Sequence, residues 1–463
     1  MREKQHDVSL PMRVAYGGFG FGSNLVGGIL GAFLTLYLTD NLLLSGGFIA
    51  GMMFACRITN GVGELLVGLL IDKTKSKLGK ARPWILVGSF TCALPVWLLF
   101  STPQSFSMFG KQVWVAVMYL LHTSVFGAMI SVAAQTLVIK MSRKPHTRTS
   151  MLVINTLLGQ IAVLITGSWG IPMLMYFGGY QTGYKWMSLV FCGVGFLAML
   201  ATGVFCKELT DEEAEEIKQL RGAEENKQKE NLLYQYKCIF TNKYMIFALL
   251  IYIVFFFTTM ISSSGAVYFA RDILNNAQFM AQISMATTIP AIILMLIGVV
   301  PLVVSKLGTR RALVSTMIVN AVGAAIMAVN PGSVIFVTVG KVVCSIAGAL
   351  YGPIIGTAVA NIADYVHMKD HFDAAGKVTS VCSAGMKIGM GLGSVGLVIA
   401  LEIGKYSAKA ANDGLQQSAS ALLAEKACFI YIPLICYIII AILSSTLDVE
   451  KKIEHLKVEK NAK

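Results

Sequence analysis

Charge is what this 463-residue chain has least of: Asp, Glu, Lys and Arg together make up 14% of it. A water-soluble globule of that length needs about twice the density to cover its surface, so that class is excluded. Cysteine is equally thin in useful patterns. The nine cysteines are scattered, with no C-x-x-C or other ligand spacing, and they read as small apolar residues inside helices. No G-x-x-x-x-G-K-[ST] run occurs, which argues against ATP-driven work by this chain alone. The excess of base, 38 Lys and Arg against 25 Asp and Glu, is not gathered into one face or tail, so nucleic acid is not an expected partner.

Long apolar runs take the place of charge. Stretches 25–38, 85–100, 113–139, 244–268, 312–329 and 429–443 carry almost none, and mean hydropathy is +0.67. With its flanks each run reaches the ~20 residues that cross the hydrocarbon core. In lipid every backbone amide must be satisfied internally, so these runs are helices. The expected spans are 14–39, 44–71, 84–101, 113–139, 151–171, 186–206, 243–270, 281–305, 312–329, 333–362, 378–404 and 426–447. The first continues too long for a cleaved signal peptide and is expected to remain as a span. The sequence thus predicts an all-α membrane protein of twelve transmembrane helices. Residues 1–206 form one six-helix half, 207–242 a cytoplasmic charged linker, and 243–463 a second half with a short tail. The linker holds Asp211, Glu212, Glu213, Glu215 and Glu216.

Cations set the orientation. Loops after alternate spans hold Lys73, Lys75, Lys77, Lys80, Arg82, Lys140, Arg143, Lys144, Arg148, Lys306, Arg310, Arg311, Lys369 and Lys377, fourteen in all; the opposite loops hold Lys111, Lys185, Arg271, Lys405 and Lys409. By the positive-inside rule the first set faces the cytoplasm, with both termini, in the plasma membrane.

The chain also repeats itself. Ser76-Lys-Leu-Gly79-Lys-Ala-Arg82 follows the second span, and Ser305-Lys-Leu-Gly308-Thr-Arg-Arg311 follows the eighth, 229 residues later. Two parallel six-helix halves imply the major facilitator fold, with a solute site between the halves near the midplane. In the first copy Gly79 permits a tight turn and Pro83 suits the first turn of the next helix. Asp72 can accept from that helix's start or pair with Arg82, making the loop a gate; alternatively its cations only fix topology.

Ionisable residues at membrane depth are costly and point to function. Arg57, Asn60 and Glu64 share one face of the second span. Ser380, Ser383 and Lys387 have the same spacing in the eleventh. Counting in from Asp72 and Lys377 at 1.5 Å per residue puts Glu64 about 12 Å and Lys387 about 15 Å deep. One acid and one base at similar depth, one per half, suit a coupling pair. The bland alternatives are ion pairs that only order helices, Glu64 with Arg57 or Lys387 across the bundle. Lys341 either attracts an acidic solute or snorkels to the outer surface. His122 reads as a hydrogen-bonded packing residue rather than a proton relay.

The stretch from Gly68 to Trp84, through Asp72, Gly79, Arg82 and Pro83, resembles the loop after helix two in the glycoside–pentoside–hexuronide:cation symporters, the group of the sodium/melibiose symporter. The resemblance extends to Tyr16-Gly17-Gly18-Phe19-Gly20, Tyr37-Leu38-Thr39-Asp40 and Arg57-Ile58, and in the second half to Ala363-Asp364-Tyr365, Gly376-Lys377 and Lys387. It implies a cation-coupled symporter importing a sugar or glycoside by alternating access. It also implies a cation site at Glu64, Asn60 and Ser131, and substrate contacts at Ser23, Asn24, Gln135, Lys387 and Arg57. Several of these positions are acidic, basic or aromatic in the melibiose symporter, which leaves room for another solute such as a lipid. Sodium needs several hard oxygens, whereas a proton needs one buried carboxylate; the thinned ligand set favours the proton and leaves sodium open.

No other cofactor is expected, and the monomer is the expected working unit. A metal site at His367, Asp370, His371 and Asp373 is conceivable, but a solvated loop is the reading adopted. A membrane enzyme would need a soluble domain or a surface cluster of carboxylates and histidines, and a channel would need charged rings. Neither is visible. The glycines at 17–22 and at 385, 389 and 393 lie in spans with no preceding strand, so they read as helix-packing positions.

Overall fold

The computed structural model describes residues 8–74, 76, 78–142, 145–208, 232–276, 278–297, 299–370, 375–412, 415–450 and 452–453. Among these every regular element is helical. The first half holds α1 (Leu10–Leu36, prolonged by a π turn, Tyr37–Asn41), α2 (Gly46–Lys73) and α3 (Arg82–Phe100). It continues with α4 (Met108–Leu120, a π turn Leu121–Phe126, then Gly127–Met141), α5 (Pro145–Tyr176) and α6 (Tyr180–Phe205). The second holds α7 (Lys243–Tyr268, prolonged by a π turn, Phe269–Ile273), α8 (Phe279–Ile297) and α9 (Val299–Val329, two helical pieces that meet at the non-helical Gly308). It closes with α10 (Val334–Asp370), α11 (Ala375–Ile403) and α12 (Ala419–Lys426, a π turn Ala427–Tyr431, then Ile432–Ser445). Eleven of these helical stretches are long and apolar enough to cross a membrane; in α2 the described apolar part is shorter, Gly46–Cys56.

Local chemistry starts the helices where the sequence suggests. Ser45, Ser107, Asn242 and Ser418 each accept a backbone N–H from the first turn that follows. Pro83 occupies the first turn of α3. Several helices overrun their expected spans, α5 and α10 most of all. Hydrophobicity marks only the part in hydrocarbon, while the helix continues until its end groups find partners. Of the expected linker 207–242, residues 209–231 lie outside the described residues, and 232–241 form a helix.

Glycine packs each half. On α1, Gly17 and Gly20 lie against Ile154 and Asn155 of α5, and Gly18 and Gly22 against Ala198 and Gly195 of α6. On α11, Gly385, Gly389 and Gly393 lie against Leu249, Ile253 and Phe257 of α7. These contacts lie within one half, so their close approach builds each half.

The buried cores show where the halves meet. One cluster runs from Leu25, Phe33 and Tyr37 to Tyr268, Phe269 and Phe429, mixing both halves. Two others stay apart: one draws on residues 239–453 only, the other on 8–206 only. The bundle therefore has a joined end, where the halves share a core, and a far end where each keeps its own. At the joined end polar contacts also cross between the halves. Ser264 donates to the Gly31 carbonyl at 3.0 Å, and Gly47 N–H donates to Glu402 at 3.0 Å. Gly167 of α5 lies against Ser284 of α8.

An ionic knot closes the joined end. Arg271 donates from Nη1 to Asp40 at 2.6 Å and grips Asp272 through Nε and Nη2 at 2.6 and 2.8 Å. Tyr406, beyond α11, donates to Asp40 Oδ2 at 2.9 Å, and Thr39 lies 3.0 Å from the Tyr268 hydroxyl. Burial, chiefly, holds the Tyr406 hydroxyl well above its ordinary pKa, so it stays a donor. Arg271, counted as a loop cation from the sequence, is built into the junction. The π turn that carries it redirects its side chain inward.

At the far end the repeated loops adopt the same device. Gly79 has φ 101° and Gly308 φ 72°, a backbone region that suits glycine. Glu208, just past α6, accepts from the amides of Lys80, Ala81 and Arg82 at 2.9, 2.7 and 3.0 Å. Glu450, just past α12, accepts from Thr309 at 3.2 Å and from Asn361 at 3.2 Å. A carboxylate at a helix N-terminus satisfies free amides and the positive end of the helix dipole. The amides and charge expected to engage Asp72 are engaged elsewhere. The Arg82 guanidinium donates to the carbonyls of Gly203 and Val204, tying α3 to the end of α6. Glu208→Ala is expected to cost about 2 kcal/mol and lower the thermal midpoint in detergent. Glu450→Ala, with one helix-start amide to serve, is expected to lower it less.

Candidate transport site

The halves also meet deep inside. Lys387 of α11 forms an ion pair and hydrogen bond with Glu64 of α2. Their side chains are 23% and 26% exposed, so the pair is reachable from an opening rather than sealed. Glu64 stands nine residues before the end of α2 and Lys387 twelve after the start of α11, about 14 and 18 Å along. The depth-matched acid and base of the sequence are thus in contact.

A π turn positions α2. In Leu121–Phe126 the widened turn of α4 presents backbone carbonyls sideways, and the Asn60 amide donates to that of Thr123. Beside it Thr59 meets the Ser124 hydroxyl at 2.7 Å, and Ser124 donates to the Cys56 carbonyl at 3.0 Å. Gly63 lets the Ser124 carbonyl pass without a side chain between. Asn60 is therefore engaged through its nitrogen, and a cation would have to use Oδ1. His122, in the same turn, places Nδ1 2.9 Å from the Cys92 carbonyl of α3, a helix-packing contact.

The other expected residues lie on neighbouring faces. Ser131 accepts from Gln135 at 3.4 Å, one turn apart on the part of α4 that packs along α2; Gln135 is exposed. Ser23 and Asn24 donate to the Gly20 carbonyl at 3.4 and 2.8 Å. Asn24 is exposed and lies two turns from Gly31, where α1 accepts from α7. Its amide lies against Gly159 of α5, within the first half. The side chains of Arg57 and Asp72 lie outside the described residues, as do those of His367 and Asp370 and the residues His371 and Asp373. Lys341 neither snorkels nor reaches the pair. Its ammonium donates to Ser262 at 2.9 Å and lies 3.9 Å from the centre of the Phe429 ring, which satisfies the charge inside the second half.

Chemically, Glu64 and Lys387 neutralise each other across the joint. A cation arriving at Glu64 competes with the ammonium, and an ammonium set free can donate up to three hydrogen bonds. Sequence reading missed the Thr123 carbonyl and the Asp40–Arg271 knot, because both depend on π turns. A signal for the knot was present: the turns begin at Tyr37 and Phe269, 232 residues apart, close to the repeat spacing.

Comparison with known proteins gives the same class. Residues 15–451 match the family model described as MFS/sugar transport protein. The isoprimeverose transporter of Lactiplantibacillus pentosus is 24% identical over 430 residues, spanning 91% of this chain and 85% of that protein. A putative glycoside/cation symporter of Escherichia coli K12, YagG, is 33% identical over 112 residues, 24% of each chain. The fold matches the crystal structure of a D-xylose–proton symporter with TM-score 0.60 at 12% identity, over 92% of this chain and 96% of that one. By the family match over nearly its whole length, the chain belongs to the MFS/sugar transport family, a transporter on the major facilitator fold.

Proposed function

We propose that this protein is a cation-coupled symporter that imports a sugar or glycoside by alternating access, one chain being the working unit. The Glu64–Lys387 pair carries the reading. It joins the halves at depth, where a solute and a cation can both act on it. Positive-inside orientation puts the loops of Gly79 and Gly308, both termini and the linker 207–242 in the cytoplasm of the cell that the plasma membrane bounds. The joined end then faces outward, and the separate cores at the far end support the reading of a state turned to the cytoplasm. A proton or sodium ion binding Glu64 frees Lys387 to meet substrate hydroxyls, with Asn60 and Ser131 offering further oxygens to the ion. Gln135, Asn24, Ser23 and Arg57 are the proposed polar contacts for the sugar. Asp72, Gly79 and Arg82 belong to the loop whose anchorage to α6 changes as the far end closes. The names of relatives support the substrate class, a glycoside in one and isoprimeverose in another. The test is uptake into proteoliposomes of a panel of glycosides under imposed proton or sodium gradients. Accumulation driven by one gradient is expected, and failure of every sugar to accumulate would refute the proposal.

A further inference from the structure

Among the described residues, carboxyl groups outnumber cations at the knot of the joined end. Three carboxyl groups act on one another there: Glu425, in the first turns of α12, packs against the π turn that carries Asp272, and feels the charge of Asp40 at the end of α1. Among the described residues they face one guanidinium, that of Arg271, which donates to Asp40, Asp272 and the Tyr406 hydroxyl. Glu425 receives none of these bonds. It is 1% exposed, and neither carboxyl oxygen has a hydrogen-bond partner. The titratable and charged groups that act on it are Asp272 and Arg271 from α7 and Asp40 from α1, with Cys428 on its own helix. From α11 it meets backbone, Gly404 lying against Ser420 and Ala424.

An ionised carboxylate in that position would cost several kcal/mol, with no donor to offset the loss of water. A metal ion is a poor occupant: among the described residues no group of three or more His, Cys, Asp and Glu is arranged to hold one. A proton resolves both problems. It makes Glu425 a donor toward Asp272 and reduces the knot to two carboxylates, one guanidinium and a neutral acid.

We propose that the joined end holds one exchangeable proton, shared by Glu425 and Asp272, and that its release opens the junction between α1 and α7. On release the carboxyl O–H bond breaks, the proton passes to water, and Glu425 is left as a carboxylate beside Asp272 and Asp40. Three negative charges then press on one Arg271, and separating the halves rehydrates them. The closed junction binds more protons than the open one. Linkage therefore favours closure at low pH and opening as pH rises. This rests on the alternating-access reading in treating the joined end as a gate. The site lies apart from Glu64, at the mouth of the path instead of its middle.

The test reads geometry, so its failure is distinguishable from failure of the transport reading. Labels on non-canonical residues at Ser105 and Gln416, exposed in opposite halves of the joined end, leave the native cysteines untouched. Their separation is measured by pulsed electron resonance in nanodiscs from about pH 6 to about pH 10, with and without sodium. Wild type is expected to lengthen with rising pH, independently of sodium. Glu425→Gln, which keeps a neutral donor in place, is expected to lose that lengthening and stay short. Asp272→Asn removes the partner charge and is expected to weaken the pH response, which keeps the proposal testable if Glu425→Gln fails to fold. A pH response undiminished in Glu425→Gln, no response in wild type, or a response to sodium instead of pH would overturn the proposal.

Discussion

Lys387→Ala is expected to weaken apparent affinity for the transported sugar by about 10- to 100-fold, the worth of a charged hydrogen bond lost from a partly buried site. The same change is expected to tighten binding of the coupling cation, because Glu64 loses the ammonium that competes for it. Opposite movements of the two affinities distinguish this account from a merely structural ion pair. A pair that only orders helices would lower stability and leave both affinities alone. Lys387→Arg keeps the charge but presents a planar fork, so partial recovery of transport is expected. Equilibrium binding of a glycoside, and separately of sodium or protons, to the purified protein reads both quantities. Unchanged affinities in Lys387→Ala would leave the residue with packing alone.

Arg271→Leu is expected to be the most damaging single change at the joined end. It strands Asp40 and Asp272, which are 8% and 10% exposed, with their counter-charge gone. Breaking a buried pair in this way costs about 3–5 kcal/mol, enough to shift a two-state equilibrium between about 10² and 10³-fold or more. The junction should therefore open and resist closing, and uptake should fall by at least about tenfold while the protein stays folded. Reactivity of a cysteine introduced at Gln416 toward a membrane-impermeant reagent would rise in the variant. Wild-type reactivity and uptake in Arg271→Leu would show that the knot does not close the gate.

These two residues were not equally visible in the sequence. Glu64 and Lys387 stand out because charge at membrane depth is rare, and counting residues from the flanking loops places them at similar depth. The geometry of straight helices is enough for that. Arg271 was hidden by the same counting, since it falls where a span ends and a loop cation is ordinary. Only the π turn at Phe269–Ile273 sends it inward, and an inserted residue of that kind leaves almost no mark on hydrophobic periodicity. The matching turn at Tyr37–Asn41 would have betrayed it, had the repeat been followed past the Gly79 and Gly308 loops. Asn60 shows the converse. Its place on the face of Glu64 was legible, but its donation to Thr123 was not, because that carbonyl is released only by the π turn in α4. Glu208 and Glu450 sit at the edges of charged segments, where nothing distinguishes a helix-capping acid from a solvated one. The twelve helices were legible throughout, since hydrophobic run length is what lipid itself selects.

The central claim is that Glu64 couples a cation gradient to solute movement, and paired measurements on Glu64→Gln proteoliposomes test it most directly. One follows equilibrium exchange of labelled sugar across the membrane; the other follows accumulation driven by the proton or sodium gradient that drives wild type. Glutamine keeps the shape but neither takes up a proton nor offers a carboxylate to sodium. Exchange is expected to persist while gradient-driven accumulation falls to the level of passive equilibration. Accumulation by Glu64→Gln at the wild-type level would contradict the account.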